Sequence, residues 1–254
     1  MVHPSPIAAE ALKDLFEQQQ TNVSTTINSE DGMYQGNSDH YFAVGQSALQ
    51  CVKLAMLAAG KGNLERILDL PCGYGRVLRV LKAAFPEAHL TACDILKDGV
   101  DFCAKEFGAT PVYGQEELAN LQIEGDFDLI WCGSLLTHLN ADRWAGFIEF
   151  FNSLLAPNGL LVFTTHGRWV AQRIRSGENL YGLESEKLGG LLKGYDGEGF
   201  GYLSYFWGEH YGISVSSPSW VSTQLERLKN LRLINFTERG WDKHQDVVAL
   251  ARTS

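Results

Sequence analysis

Two carboxylates and a pair of glycines carry the first chemistry legible in this chain. In residues 67–81, ILDLPCGYGRVLRVL, a short apolar run, Ile67-Leu68, ends at Asp69. Gly73 and Gly75 follow in a turn, and beyond them Val77, Leu78, Val80 and Leu81 take helical spacing, with Arg76 and Arg79 on the other face. A buried strand, an acidic residue at its end, a glycine turn and a helix N-terminus form a cradle for a nucleotide-type ligand. Glycine lets backbone approach a ligand where a Cβ would clash, and the free N–H groups of a first helical turn attract an anion. Asp69 would repel a pyrophosphate but suits a ligand bearing an amine. Leu78 stands where a dinucleotide fingerprint needs its third glycine. A second carboxylate, Asp94, ends the apolar run at residues 89–93. One carboxylate there accepts both hydroxyls of a ribose. The competing role for Asp94 is N-cap of a helix over residues 96–107.

Asp69-Leu-Pro-Cys-Gly73-Tyr-Gly75 resembles motif I of the class I S-adenosylmethionine (SAM) methyltransferases, Asp-x-Gly-x-Gly-x-Gly, with Pro71 at the first glycine. The resemblance covers residues 64–166 and, more loosely, 218–252. It implies that Asp69, Pro71, Cys72, Gly73 and Gly75 form the cofactor loop, that Asp94 holds the ribose and that Ile95 packs on the adenine. Gly114 stands where the family often places an adenine-binding Asp, which leaves Gln115 for a polar contact. Cys132 and Gly133 would run beside the methionyl part. Tyr41, with Tyr34, would cap the cofactor from the segment before the sheet. The implied activity is SAM-dependent methyl transfer to a small-molecule acceptor, with oxygen the favoured atom and S-adenosylhomocysteine (SAH) the product. The alternative is a SAM- or nucleoside-binding regulatory protein without catalysis. A nicotinamide oxidoreductase is opposed by Leu78.

The elements that must position these residues follow from hydrophobic period and turn chemistry. A helix is expected over residues 44–59, ended by Gly60-Lys61-Gly62, and an amphipathic helix over residues 8–20. Strands are expected at residues 67–68, 89–93, 110–113, 127–132, 159–164, 231–237 and 245–251. A helix over residues 141–155 has Asn140 as its cap, and Pro157-Asn158-Gly159 reads as a turn. Helices alternating with apolar strands predict an α/β fold, a doubly wound and mostly parallel seven-stranded sheet. The family likeness adds an antiparallel last strand, the Rossmann-like class I methyltransferase fold. Residues 1–62 are expected to form a helical cap and 63–254 the methyltransferase domain. Within it, residues 167–217 exceed the minimal fold. They are rich in glycine and aromatics (Tyr181, Tyr195, Tyr202, Tyr205, Trp207, Tyr211), a composition suited to a lid or acceptor pocket.

A hydroxyl or protonated-amine acceptor benefits from a general base, and His166 and His210 are the leading candidates, ahead of His138 and His244. No Asp/Asn-Pro-Pro-Tyr/Phe motif follows the fourth strand, where Cys132-Gly133-Ser134 stands, which argues against amide and exocyclic adenine N-methylation. The 254 residues suffice for one embellished domain, and a net charge of −9 disfavours a nucleic-acid partner. Five cysteines without metal-type spacing suggest a reduced, cytoplasmic chain. No metal site and no membrane span is expected, and the chain is expected to act as a monomer or homodimer.

Overall fold

The computed structural model describes residues 22–206 and 210–253; the expected helix over residues 8–20 and Trp207 lie outside them. Helix α1 (Ser38–Ala59) comes first, starting six residues earlier than its apolar pattern because the Asn37 side chain accepts the His40 N–H. Strand β1 (Arg66–Asp69), helix α2 (Leu78–Ala84), β2 (His89–Asp94), α3 (Lys97–Phe107) and β3 (Thr110–Tyr113) follow. Then come β4 (Phe127–Cys132), α4 (Ala141–Leu154) and β5 (Leu155–Thr165). Residues 157–159 therefore lie inside β5 and not before it. Asn158 keeps the positive φ its type suggests, +59°, and the β4–β5 register slips between Phe127 and Leu129.

The seven-stranded sheet has the order β3-β2-β1-β4-β5-β9-β8, where β8 is Leu231–Trp241 and β9 is Gln245–Arg252. β1 to β5 are parallel, and β9 runs antiparallel to both β5 and β8. This is the expected doubly wound sheet. Alternation along β9 shows why both faces are covered: Val247, Ala249 and Ala251 join the core under α1, α2 and α3, while Val248 and Leu250 join the core under α4 and α7 (Pro218–Leu225). Each large apolar side chain so buried contributes about 1.5–3 kcal/mol.

α1 has the length and hydropathy of a membrane span. Its residues Val44, Ala48, Leu49, Val52 and Met56 are buried in the first of these cores, so it behaves as a core helix. It is a layer of the sandwich, and residues 38–59 share one core with the sheet instead of capping it from outside.

The insert is a unit with its own small core. Helices α5 (Arg168–Arg175) and α6 (Ser185–Glu198) pack on a two-stranded antiparallel sheet, β6 (Phe200–Ser204) and β7 (Gly212–Ser216). Val170, Ile174, Leu188, Leu191, Ile213 and Val215 form that core. It docks on the carboxyl ends of the parallel strands: the Ser216 N–H donates to the His166 carbonyl (2.8 Å), and the Ser214 hydroxyl donates to the Leu136 carbonyl (2.9 Å).

Candidate active site

The carboxyl ends of β1, β2, β4 and β5 place Asp69, Asp94, Cys132 and Thr165 along one edge, where ligands sit in doubly wound sheets. Because β9 is antiparallel to β5, the β8–β9 turn reaches the same edge and adds Trp241, Asp242 and His244.

After β1 the chain turns through Gly73 (φ +51°) and Gly75 (φ +75°). A Cβ on Gly75 would lie 2.3 Å from the Phe107 ring, so that glycine is needed for packing α3 against the turn. A Cβ on Gly73 meets no atom within 4 Å, so Gly73 is the open lip of the cradle. Asp94 shapes that lip: its Oδ2 accepts the Gly73 N–H (2.7 Å) and its Oδ1 the Leu96 N–H (2.9 Å). It thus ties two loops together and is not the N-cap of α3, a position held by Leu96. Each carboxylate oxygen retains a lone pair for a ribose hydroxyl. Ile95 beside it is 66% exposed, an apolar face next to a diol acceptor.

Asp69 is buried, and neither of its carboxylate oxygens has a hydrogen-bond partner. Burial, and then the like charge of Asp94, push its carboxyl well above the usual carboxylate range, with Arg76 opposing. A buried carboxylate without a donor calls for one, and an ammonium such as that of SAM would supply it. The orphaned Asp69, the open Gly73 lip and the half-used Asp94 therefore fit SAM. A linkage follows. With its pKa raised, Asp69 holds its proton in the free protein to a higher pH than an ordinary carboxyl. An ammonium bound against it requires the ionised form, so binding releases a proton and affinity rises with pH through the titration of Asp69. Calorimetry of SAH binding at mildly acid pH, in two buffers of different ionisation enthalpy, should show net proton release. A pH-independent affinity would contradict it.

The other expected cofactor residues are placed as follows. Pro71 and Cys72 lie in the turn, and the Cys72 N–H is bonded to the Cys93 carbonyl (3.0 Å). Cys132 is fully buried at the end of β4. A Cβ on Gly133 would come within 2.8–3.1 Å of the Trp131 and Trp241 indoles, so only glycine passes there. Gly114 sits 2.7 Å by its N–H from the Asp94 carbonyl, and a Cβ on it would meet the Asp94 and Ile95 backbones at 2.7 Å. No side chain fits at that position, and Gln115 is exposed next to it. Tyr41 does not line the crevice as a cap. It is fully buried, its hydroxyl donating to Asp31 (2.6 Å) and facing Arg79 Nη2 (3.3 Å).

Arg79 corrects a second expectation. Helical spacing put it on the polar face of α2, yet it is 1% exposed. Its guanidinium donates to the carbonyls of Ser24 (2.9 Å), Thr26 (3.0 Å) and Gly75 (3.1 Å). The chain before α1 folds back over α2, which turns an outward face into an inner one.

The insert closes over three histidines. His166 follows β5 directly and is 3% exposed, and its Nδ1 has no partner. The His138 ring centroid lies 6.4 Å away, that of His244 5.5 Å and that of Tyr181 5.3 Å. His138 Nδ1 is 2.7 Å from the Gly212 carbonyl; a carbonyl only accepts, so Nδ1 carries the proton and Nε2 the lone pair. Its ring stacks on Tyr211 at 4.7 Å. His244 Nε2 pairs with the Tyr181 hydroxyl at 3.2 Å. Burial holds all three histidines below the usual imidazole range, His166 well below, with the adjoining His138 and His244 adding to its shift. Three neutral imidazoles and three tyrosines (181, 205, 211) thus line the boundary between insert and sheet; the imidazoles offer lone pairs to a proton, while burial raises the pKa of the phenols and keeps them protonated.

His210 is not brought there. Its ring is exposed, and its carbonyl is held by Arg143 Nη1 (2.9 Å). The sequence ranked His138 and His244 below His210 because only the tertiary fold shows that the loop after β4, the β8–β9 turn and the insert converge. Tyrosine clustering in the insert was the one signal for Tyr181, Tyr205 and Tyr211.

Residues 68–161 match the family profile described as a methyltransferase domain. A malonyl-[acyl-carrier protein] O-methyltransferase of Bacillus anthracis is 30% identical over 112 residues, 44% of this chain and 41% of that one. A juvenile hormone acid O-methyltransferase of Bombyx mori is 28% identical over 130 residues, 50% of this chain and 37% of that one. The chain thus matches less than half the length of these curated relatives. Among solved structures, the SAM-bound amino pentose methyltransferase CalS10 from Micromonospora echinaspora superposes with a TM-score of 0.59 at 13% identity, covering 91% of this chain and 100% of that one. The 1,6-didemethyltoxoflavin-N1-methyltransferase of Burkholderia thailandensis gives 0.56 at 15% identity, covering 100% of this chain and 92% of that one. These structures share the fold.

Proposed function

We propose that this chain, whose core is a class I SAM-dependent methyltransferase domain, methylates an oxygen of a small-molecule acceptor held beneath the insert. The observation that supports base-assisted transfer, as a hydroxyl acceptor calls for, is His166: a neutral, buried imidazole at the end of β5 with a partnerless Nδ1. The relatives named as O-methyltransferases support the same atom.

Bound SAM supplies a methyl group on a positively charged sulfur that departs as a neutral sulfide. The chain's own part is alignment and proton removal. Asp69 takes the ammonium, Asp94 the ribose hydroxyls, and Ile95 presents an apolar face to the base. Holding acceptor and methyl in line is worth roughly 7–11 kcal/mol of barrier. His166 Nδ1 receives the acceptor's hydroxyl proton as oxygen forms its bond to carbon, and the insert excludes water from the site. Its neutral state in the free protein is what a base requires. Five unpaired, buried cysteines support a reducing, cytosolic setting for this reaction.

The test is turnover of methyl-labelled SAM with a panel of small alcohols, phenols and carboxylic acids, and NMR assignment of the methylated atom. Label on oxygen is the expected result. Label on nitrogen or carbon would refute the oxygen assignment. Tight SAM binding without transfer to any acceptor class would favour the non-catalytic regulatory reading.

A further inference from the structure

Arg76 is the charged side chain of the turn between β1 and α2. It is half-buried, and its guanidinium carbon lies 5.7 Å from the Trp241 ring centroid and 6.0 Å from that of Tyr41. Among the described residues it makes no hydrogen bond and no ion pair. The carboxylates whose charge reaches it are Asp31, Asp242 and Asp69. Asp31 is engaged by the Tyr41 hydroxyl (2.6 Å) and the Met33 N–H (2.9 Å), and Asp242 lies 3.7 Å from His40. Asp69 has no partner. Two aromatic rings thus flank a planar fork of donors that no described residue fills. That fork matches a carboxylate in a bidentate way that a lysine ammonium does not.

We propose that Arg76 binds the α-carboxylate of the cofactor's methionyl end, so that Asp69 and Arg76 form a dipolar pair complementary to an amino-acid zwitterion. This rests on SAM being the cofactor. It makes the amino-acid tail, and not the adenosine alone, a determinant of affinity.

The probes are SAH, its decarboxylated analogue S-adenosyl-3-thiopropylamine, and 5′-methylthioadenosine, titrated calorimetrically into wild-type protein, Arg76→Gln and Arg76→Lys. Wild type should bind SAH more tightly than the decarboxylated analogue. Arg76→Gln should lose roughly 10- to 100-fold in SAH affinity while its affinity for the analogue stays unchanged. Arg76→Lys, which keeps the charge and disturbs the fold least, should recover part of the SAH preference. Equal loss of all three probes would mark a structural role and overturn the assignment. So would SAH affinity unchanged in both variants; if acceptor KM alone then rose, the carboxylate bound by Arg76 would be the acceptor's. Equal wild-type affinity for SAH and the analogue overturns it without any variant. Failure of wild type to bind SAH or methylthioadenosine would instead sink the SAM reading itself, and this assignment with it.

Discussion

Asp94→Ala is expected to lower SAM and SAH affinity by roughly 10²–10⁴-fold, read by calorimetry. In the proposed role Asp94 would offer two lone pairs to the ribose, and hydrogen bonds to a charged group are worth about 1.5–3 kcal/mol each, with 1.4 kcal/mol per tenfold. The loss has a second source. Asp94 also accepts the Gly73 and Leu96 N–H groups at 2.7 and 2.9 Å, so the alanine variant leaves both loop donors unpaired. Asp94→Asn reduces both losses together. Its amide oxygen keeps one of those loop bonds and one ribose contact, so its affinity should fall between wild type and alanine. Wild-type affinity in Asp94→Ala would remove Asp94 from the cofactor site.

His166→Gln is expected to lower kcat by about 10²–10⁴-fold while leaving SAH affinity unchanged. Glutamine retains hydrogen-bonding capacity but not a titratable lone pair, so the split between kcat and binding isolates proton removal. A carboxylic acid acceptor has no proton to give at neutral pH. With such an acceptor kcat would survive the substitution, and His166 would be a positioning residue only. The pH dependence has a definite sign. His138, His166 and His244 all have folded-state pKa values below the usual imidazole value. The unfolded chain therefore takes up protons first as pH falls below about 6.5. The stability these rings contribute is complete above that pH and is lost as pH falls toward their folded pKa values. Denaturant midpoints in mildly acid buffer should drop for wild type and drop less for His166→Gln. An equal drop in both would place the acid sensitivity elsewhere.

Strands such as β1, β2 and β4 were legible because each is a short apolar run that ends at a polar or turn residue, and alternation along β9 sets which side chains face which helix layer. The cradle was legible for the same reason. Asp69, Gly73, Gly75 and Asp94 are placed by backbone geometry and strand ends, which are local properties. Pro157-Asn158-Gly159 shows the limit of locality: its turn chemistry is real, as the φ of Asn158 records, but pairing with β4 absorbs it into a bulged strand.

What the sequence by itself determined is the parallel sheet, the glycine turn after β1 and the two carboxylates at the ends of β1 and β2. Only the tertiary structure decided what becomes of long charged and aromatic side chains whose partners lie far away in the chain. Arg79, polar by helical spacing, is buried because residues 24–26 fold over it, and Tyr41 turns to Asp31 instead of the crevice. His138, His166 and His244 come from three separate segments, and they meet because β9 runs antiparallel to β5 and the insert docks on the ends of β4 and β5. The apolar period records which face of an element is buried, whereas the desolvation that keeps those imidazoles neutral depends on what covers them, and no local pattern encodes that.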